Sequence, residues 1–159
     1  MKFWIMHDTN FGNGKLLAET MSAVCSENHE VRIGDIKKVS VEEIINDMPD
    51  VLILGAAIRM FQGGPLSKKW LKKLDNELEK SNKSIRYGAG FITHGLPSNK
   101  IQGWVKRYMN KLKKAQNVRE IYFPCFTGQV EGQEGPFKDG VLEQAKKFVE
   151  EFQNWMQES

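Results

Sequence analysis

Short, nearly unbroken apolar runs alternate along this chain with longer segments in which apolar residues recur every three or four positions. The first pattern fits strands and the second amphipathic helices. Residues 3–6 form the first strand, and Leu16, Leu17, Met21 and Val24 mark a helix over 15–25. Residues 31–33 are a weaker second strand, alternating rather than continuous, which suits a sheet edge. A short helix follows over 41–45, with Ser40 as its N-cap and Glu43 at the capping-box position. Residues 51–55 are the strongest strand, a continuous apolar run of the kind buried on both faces of a parallel sheet.

The second half keeps the same rhythm. Leu66, Trp70, Leu71, Leu74 and Leu78 form one stripe of a helix over 66–78, with lysines opposite. Residues 84–90 are a fourth strand running into a glycine-rich loop. A helix over 99–114 buries Ile101, Trp104, Val105, Tyr108, Met109 and Leu112. Residues 118–126 are a fifth strand, and a closing helix over 140–156 turns Ala145, Phe148, Val149, Phe152 and Trp155 inward. Five strands alternating with five helices predict an α/β fold: one doubly wound, five-stranded parallel sheet with helices on both faces. A length of 159 residues suits a single domain spanning 1–159.

Charge changes this picture in one place. The net charge is +3. Most of the excess lies between residues 99 and 114, where Lys100, Lys106, Arg107, Lys111, Lys113 and Lys114 have no acid among them. Trp104 and Tyr108 fall on the apolar stripe and not among these cations, so a nucleic-acid interface is not expected. A solvated face that docks an acidic partner fits better. No apolar run is long enough to span a bilayer and no signal-peptide core opens the chain, so a cytoplasmic location with no membrane contact is expected. Cys25 and Cys125 are too few and too far apart for a disulfide framework or a metal site, and no metal is expected.

The candidate chemistry starts where the first strand ends. Thr9, Asn10, Phe11, Gly12, Asn13 and Gly14 form a polar, glycine-containing turn that opens directly into a helix. Free backbone N–H groups and the positive end of the helix dipole converge there, which suits a phosphate. In an open parallel sheet, ligands sit at the carboxyl ends of the strands, where the strand order reverses. The stretches after strands three and four would complete such a site. They contribute Ala56, Ala57, Ile58, Arg59, Met60 and Phe61 from one, and Ala89, Gly90, Phe91, Thr93, His94 and Gly95 from the other. A phosphate cradle beside two loops tipped with apolar groups describes a site for a flat ring system with a phosphate tail.

Over essentially its whole length the chain resembles the flavodoxins. Residues 9–14 match the family's phosphate loop, with Gly14 in place of its last threonine. The resemblance implies strand order 2-1-3-4-5, FMN as cofactor, and electron transfer with the flavin cycling between oxidised, semiquinone and hydroquinone states. It also implies that residues 56–61 and 89–95 flank the isoalloxazine ring, with Met60 or Phe61 and Phe91 as stacking candidates. Arg59 is a candidate to balance charge on the reduced flavin. His94 is expected in solvent or at the ring edge, and His7 packed and hydrogen-bonded at the edge of the core. No side chain needs to act as catalytic acid, base or nucleophile. Family members are acidic, so this basic chain calls for different redox partners, acidic ones given the basic helix 99–114, or for a locally acidic docking face.

Two other readings stay open on the sequence. An FMN-dependent oxidoreductase of the same fold would act on a quinone- or porphyrin-like substrate, with Gln129, Glu131, Gln133 and Glu134 lining its mouth. A flavin-free module would bind partners instead. Other doubly wound classes fail on residues. Strand three ends Leu54-Gly55-Ala56 where a phospho-receiver needs an aspartate, and no dinucleotide or Walker-type glycine pattern follows strand one.

Overall fold

The computed structural model describes residues 1–159. Five long strands, β1 (Lys2–His7), β2 (Glu30–Asp35), β3 (Val51–Arg59), β5 (Ile85–His94) and β6 (Val118–Gln129), form one parallel sheet in the order β2-β1-β3-β5-β6. A two-residue strand, β4 (Gln62–Gly63), pairs antiparallel with the end of β3. Counting the long strands alone, the order is the expected 2-1-3-4-5.

Helices cover both faces. α2 (Val41–Asp47), α3 (Pro65–Lys80) and α4 (Gln102–Lys114) bury Ile44, Leu71, Leu74, Tyr108 and Leu112 against Trp4, Met6, Leu52 and Leu54. α1 (Asn13–Cys25) and α5 (Val141–Glu158) bury Leu17, Met21, Val149 and Phe152 against Phe3, Ile5, Val51 and Ile53. Successive strand residues point to opposite faces, so the apolar run of β3 feeds both cores at once. β2 and β6 are the edges. Pro124 lies in β6, where an edge tolerates the missing N–H. Leu66, expected on the buried stripe of α3, is exposed at the first turn. No helix is long and apolar enough to cross a membrane.

The largest departures from the sequence reading are at the carboxyl ends of the central strands. The stretch 56–65, expected as a loop, continues β3 to Arg59 and returns through β4 as a tight hairpin, Ile58 opposite Gly63 and Arg59 opposite Gln62. Its two turn residues, Met60 and Phe61, have φ of 48° and 61°. This is the left-handed pair a two-residue hairpin demands, here met by bulky side chains and not by Asn-Gly. The stretch 88–95 is likewise strand up to His94. Its small residues are held by pairing on both sides, with Ala57 opposite Thr93 and Gln129 opposite His94.

Candidate functional site

β1, β3 and β5 all end at one side of the sheet, and a cavity of about 350 Å³ opens there, within the range of small-molecule sites. Thr9, Asn10, Phe11, Asn13 and Gly14 form one wall, Ala57, Ile58, Arg59 and Met60 a second, and Thr93, His94 and Gly95 a third. The structure therefore brings together residues from all three segments singled out in the sequence.

The first wall is the uncapped start of α1. The Gly12 N–H donates to Thr9 Oγ1 at 2.8 Å, and Gly12 takes φ of 91° as the N-cap of α1. No side chain caps this helix, so the first-turn N–H groups of Asn13, Gly14 and Lys15 have no protein acceptor. A Cβ on Gly14 would lie 3.0 Å from the carbonyl oxygen of Asp8, so a side chain there would crowd the turn. Lys37, reaching over from the segment after β2, donates from Nζ to the Thr9 carbonyl and fixes the outer edge of the turn.

Asp8 was not singled out by the sequence reading, and it lies at the centre of the site. Its side chain is 1% exposed and accepts from Arg59 Nη1 at 2.9 Å, while Arg59 Nη2 donates to its carbonyl oxygen at 3.3 Å. Lys37 Nζ lies 3.9 Å from the same carboxylate. Arg59 is therefore a compensated cation that ties the β3–β4 hairpin to the phosphate turn. Charge near a bound ring would come from the Asp8–Arg59 pair together and not from a free arginine. No local signal in the sequence marks two residues fifty-one apart as partners.

His94 corrects the expectation of a solvent-exposed histidine. It is 2% exposed, and its Nδ1 lies 2.6 Å from the Leu96 carbonyl oxygen, so Nδ1 carries the proton. Burial lowers its pKa, which keeps the ring neutral near pH 7. Nε2 is then a buried acceptor without a partner, in a residue that lines the cavity. His7 is buried as expected, but its Nδ1 has no hydrogen-bond partner.

Other candidates lie away from the cavity. Phe91 was expected to project and stack on a ring; it is 1% exposed and belongs to the core on the α1–α5 face. Its ring fills the space above Gly55, its register partner on β3, 2.2 Å from where a Gly55 Cβ would stand. Ala89 is buried in the same core, and Gly90 fits beneath Leu112, Tyr108 and Met109 of α4. Ala56 packs against Gly64. Phe61 is 76% exposed at the hairpin tip outside the cavity wall, beside Met60 at 90%. Of the three aromatic or thioether stacking candidates, Met60 alone lines the cavity.

Two further residues line it from beyond the three segments. Val130 and Gln133 come from the loop after β6, held in place by the Val130 N–H donating to the His94 carbonyl at 2.9 Å. Gly135 of that loop abuts Asn13, whose Oδ1 lies 2.8 Å from where a Gly135 Cβ would be. Glu131 and Glu134 do not reach the wall. Neither cysteine belongs to the site, and burial pushes both thiols up to about 12. They are inert thiols at neutral pH.

No protein-family model matches the chain, and no curated protein sequence matches it. Solved structures do match. Oxidised flavodoxin 1 from Bacillus cereus superimposes with a TM-score of 0.70 at 18% identity, covering 97% of this chain and 98% of that one. A WrbA-like flavodoxin from Agrobacterium tumefaciens gives 0.73 at 13% identity, covering 99% and 98%. Rubredoxin:oxygen oxidoreductase from Desulfovibrio gigas gives 0.70 at 16% identity, covering 94% of this chain and 34% of that much longer one. The sheet order and these matches together give the chain a flavodoxin-like fold.

Proposed function

We propose that this protein binds FMN and transfers electrons. The observation that carries the reading is the uncapped start of α1, where unpartnered N–H groups face a cavity built from three strand ends. The residues fit the cofactor. The turn 9–14 would hold the 5′-phosphate, with Thr9 and Asn13 adding side-chain donors to the backbone. Met60 offers an apolar face at the rim.

Bound flavin would supply the one- and two-electron chemistry; the chain's own work is to bind, orient and set the potential. Asp8 and Arg59 present a fixed ion pair on the cavity wall, and the hairpin they anchor positions the backbone at Met60. The redox partners would be proteins, acidic ones in view of the basic α4. The function is tested by adding FMN to the purified chain and separating free from bound flavin by gel filtration. A yellow protein peak with quenched flavin fluorescence is expected. A protein that stays colourless would overturn the proposal and favour the flavin-free module.

Val130 and Gln133 on the wall favour one further reading, a flavin enzyme with a substrate mouth on that side. Turnover of NAD(P)H with a quinone by the FMN-loaded protein would favour it over the carrier.

A further inference from the structure

The flank formed by α3 and α4 has a charge pattern unlike the rest of the molecule. Lys68, Lys69 and Lys72 of α3 face Lys111 and Lys114 of α4 across a groove of about 440 Å³, with Asp75 its only acid. That carboxylate is already engaged: Asp75 Oδ1 accepts from the backbone and the side-chain amide of Asn117 at 2.9 and 3.0 Å. Lysines on other helices find acids, as Lys15 does with Glu19, Lys146 with Glu143 and Lys147 with Glu151. The groove lysines form no ion pair.

Helix stability does not account for this arrangement. Lys111, Lys113 and Lys114 complement the dipole in the last turn of α4. Lys68 and Lys69 lie near the start of α3, where cations oppose the dipole and the first turn holds no acid. Lys68–Lys72, Lys69–Lys73 and Arg107–Lys111 are like-charge neighbours one helical turn apart, which repel. Burial lowers the pKa of Lys68, and Arg107 and Lys111 lower it further, so these cations sense one another.

The chain links the groove to the hairpin that forms one wall of the cavity. Pro65 on its edge follows the β3–β4 hairpin, and Gly63 of that hairpin packs against Trp104 of α4, leaving 2.7 Å for a Cβ. Met60 and Phe61 at the hairpin tip and Leu66 in the first turn of α3 are exposed apolar residues on this connection. Carboxylates of a partner gripping the groove would bring that partner's surface towards them. No aromatic side chain lines the groove itself, although exposed Phe123 lies under Lys113 of α4.

We propose that the α3–α4 groove and the Met60–Phe61 tip form the docking surface for an acidic electron-transfer protein. The electron-transfer part rests on the FMN reading; the docking part does not. In each productive encounter one electron leaves the reduced metal centre of the partner and enters the bound flavin, and no bond forms between the proteins.

The probe is an acidic plant-type [2Fe–2S] ferredoxin, titrated into both the FMN-free and the FMN-loaded protein. Raising ionic strength from about 0.01 M to about 0.15 M shortens the screening length from about 30 Å to about 8 Å. The Kd should rise at least about tenfold over that range. Lys69→Gln/Lys72→Gln/Lys111→Gln, all at exposed positions, should raise the low-salt Kd at least about tenfold. Lys38→Gln/Lys146→Gln/Lys147→Gln removes the same net charge elsewhere and should change it less than about twofold. Equal losses in the two variants would overturn the proposal, as would tighter binding of basic cytochrome c. Tighter, groove-dependent binding of a poly-dT oligonucleotide would overturn it in favour of a nucleic-acid surface. Ferredoxin binding without FMN uptake would leave the dock standing and remove the cofactor reading instead.

Discussion

The cavity and the α3–α4 flank treat charge in opposite ways. At the cavity, Asp8 is buried and held by Arg59 at 2.9 Å, while the unpaired groups are backbone N–H donors and the Nε2 of His94. On the flank the unpaired groups that line the groove are lysine ammoniums, most of them in solvent. A buried charge without a partner is costly, so the fold pairs it; an exposed one is hydrated and can stay single. The first arrangement suits a small ligand that must be oriented. The second suits a large partner that must be attracted over distance.

The contrast breaks most severely at Asp8. Asp8→Ala should cost about 3 kcal/mol of folding stability, because Arg59 loses its partner while only partly exposed. Chemical denaturation of the FMN-free protein measures this, and a loss below about 0.5 kcal/mol would show that the pair is not structural. Next is the phosphate turn. Thr9→Ala with Asn13→Ala should weaken FMN by about 2 kcal/mol, roughly thirtyfold, and riboflavin much less. Equal losses for both ligands would move the phosphate elsewhere.

A smaller effect comes from the buried histidines. Burial lowers the pKa of both His7 and His94 below the ordinary 6.5. On lowering the pH below 6.5 the unfolded chain takes up protons that the folded one refuses. Stability should therefore be full above about pH 6.5 and fall on acidification towards the lower folded pKa values. Urea midpoints measured across this range should show that slope, and His94→Gln should make it shallower. The smallest effect is on the flank. Lys69→Gln should leave stability unchanged or raise it by about 0.3 kcal/mol, since it relieves repulsion from Lys73. A clear loss would mean that Lys69 has a structural partner.

The architecture was legible because strands buried on both faces and helices buried on one leave different apolar periods, as at Val51–Leu54 and Leu71–Leu78. The turn 9–14 that opens into α1 was legible because its pattern is local. What escaped was set between strands. The fourth strand was read only to residue 90, yet pairing with β3 and β6 extends β5 through 91–94. Phe91 looked exposed among small neighbours, but the missing side chain of Gly55 on the adjacent strand gives its ring a buried place. The Met60–Phe61 hairpin lacks the Asn-Gly signal of its turn type, and the Asp8–Arg59 pair joins the turn after β1 to the end of β3.

The central claim, that the start of α1 receives a phosphate, is tested most directly by titrating the FMN-free protein with FMN and with riboflavin under the same conditions. Charge-assisted bonds from several N–H groups predict that FMN binds at least about a hundredfold more tightly. Equal affinity for the two flavins, or binding of neither, would contradict the account.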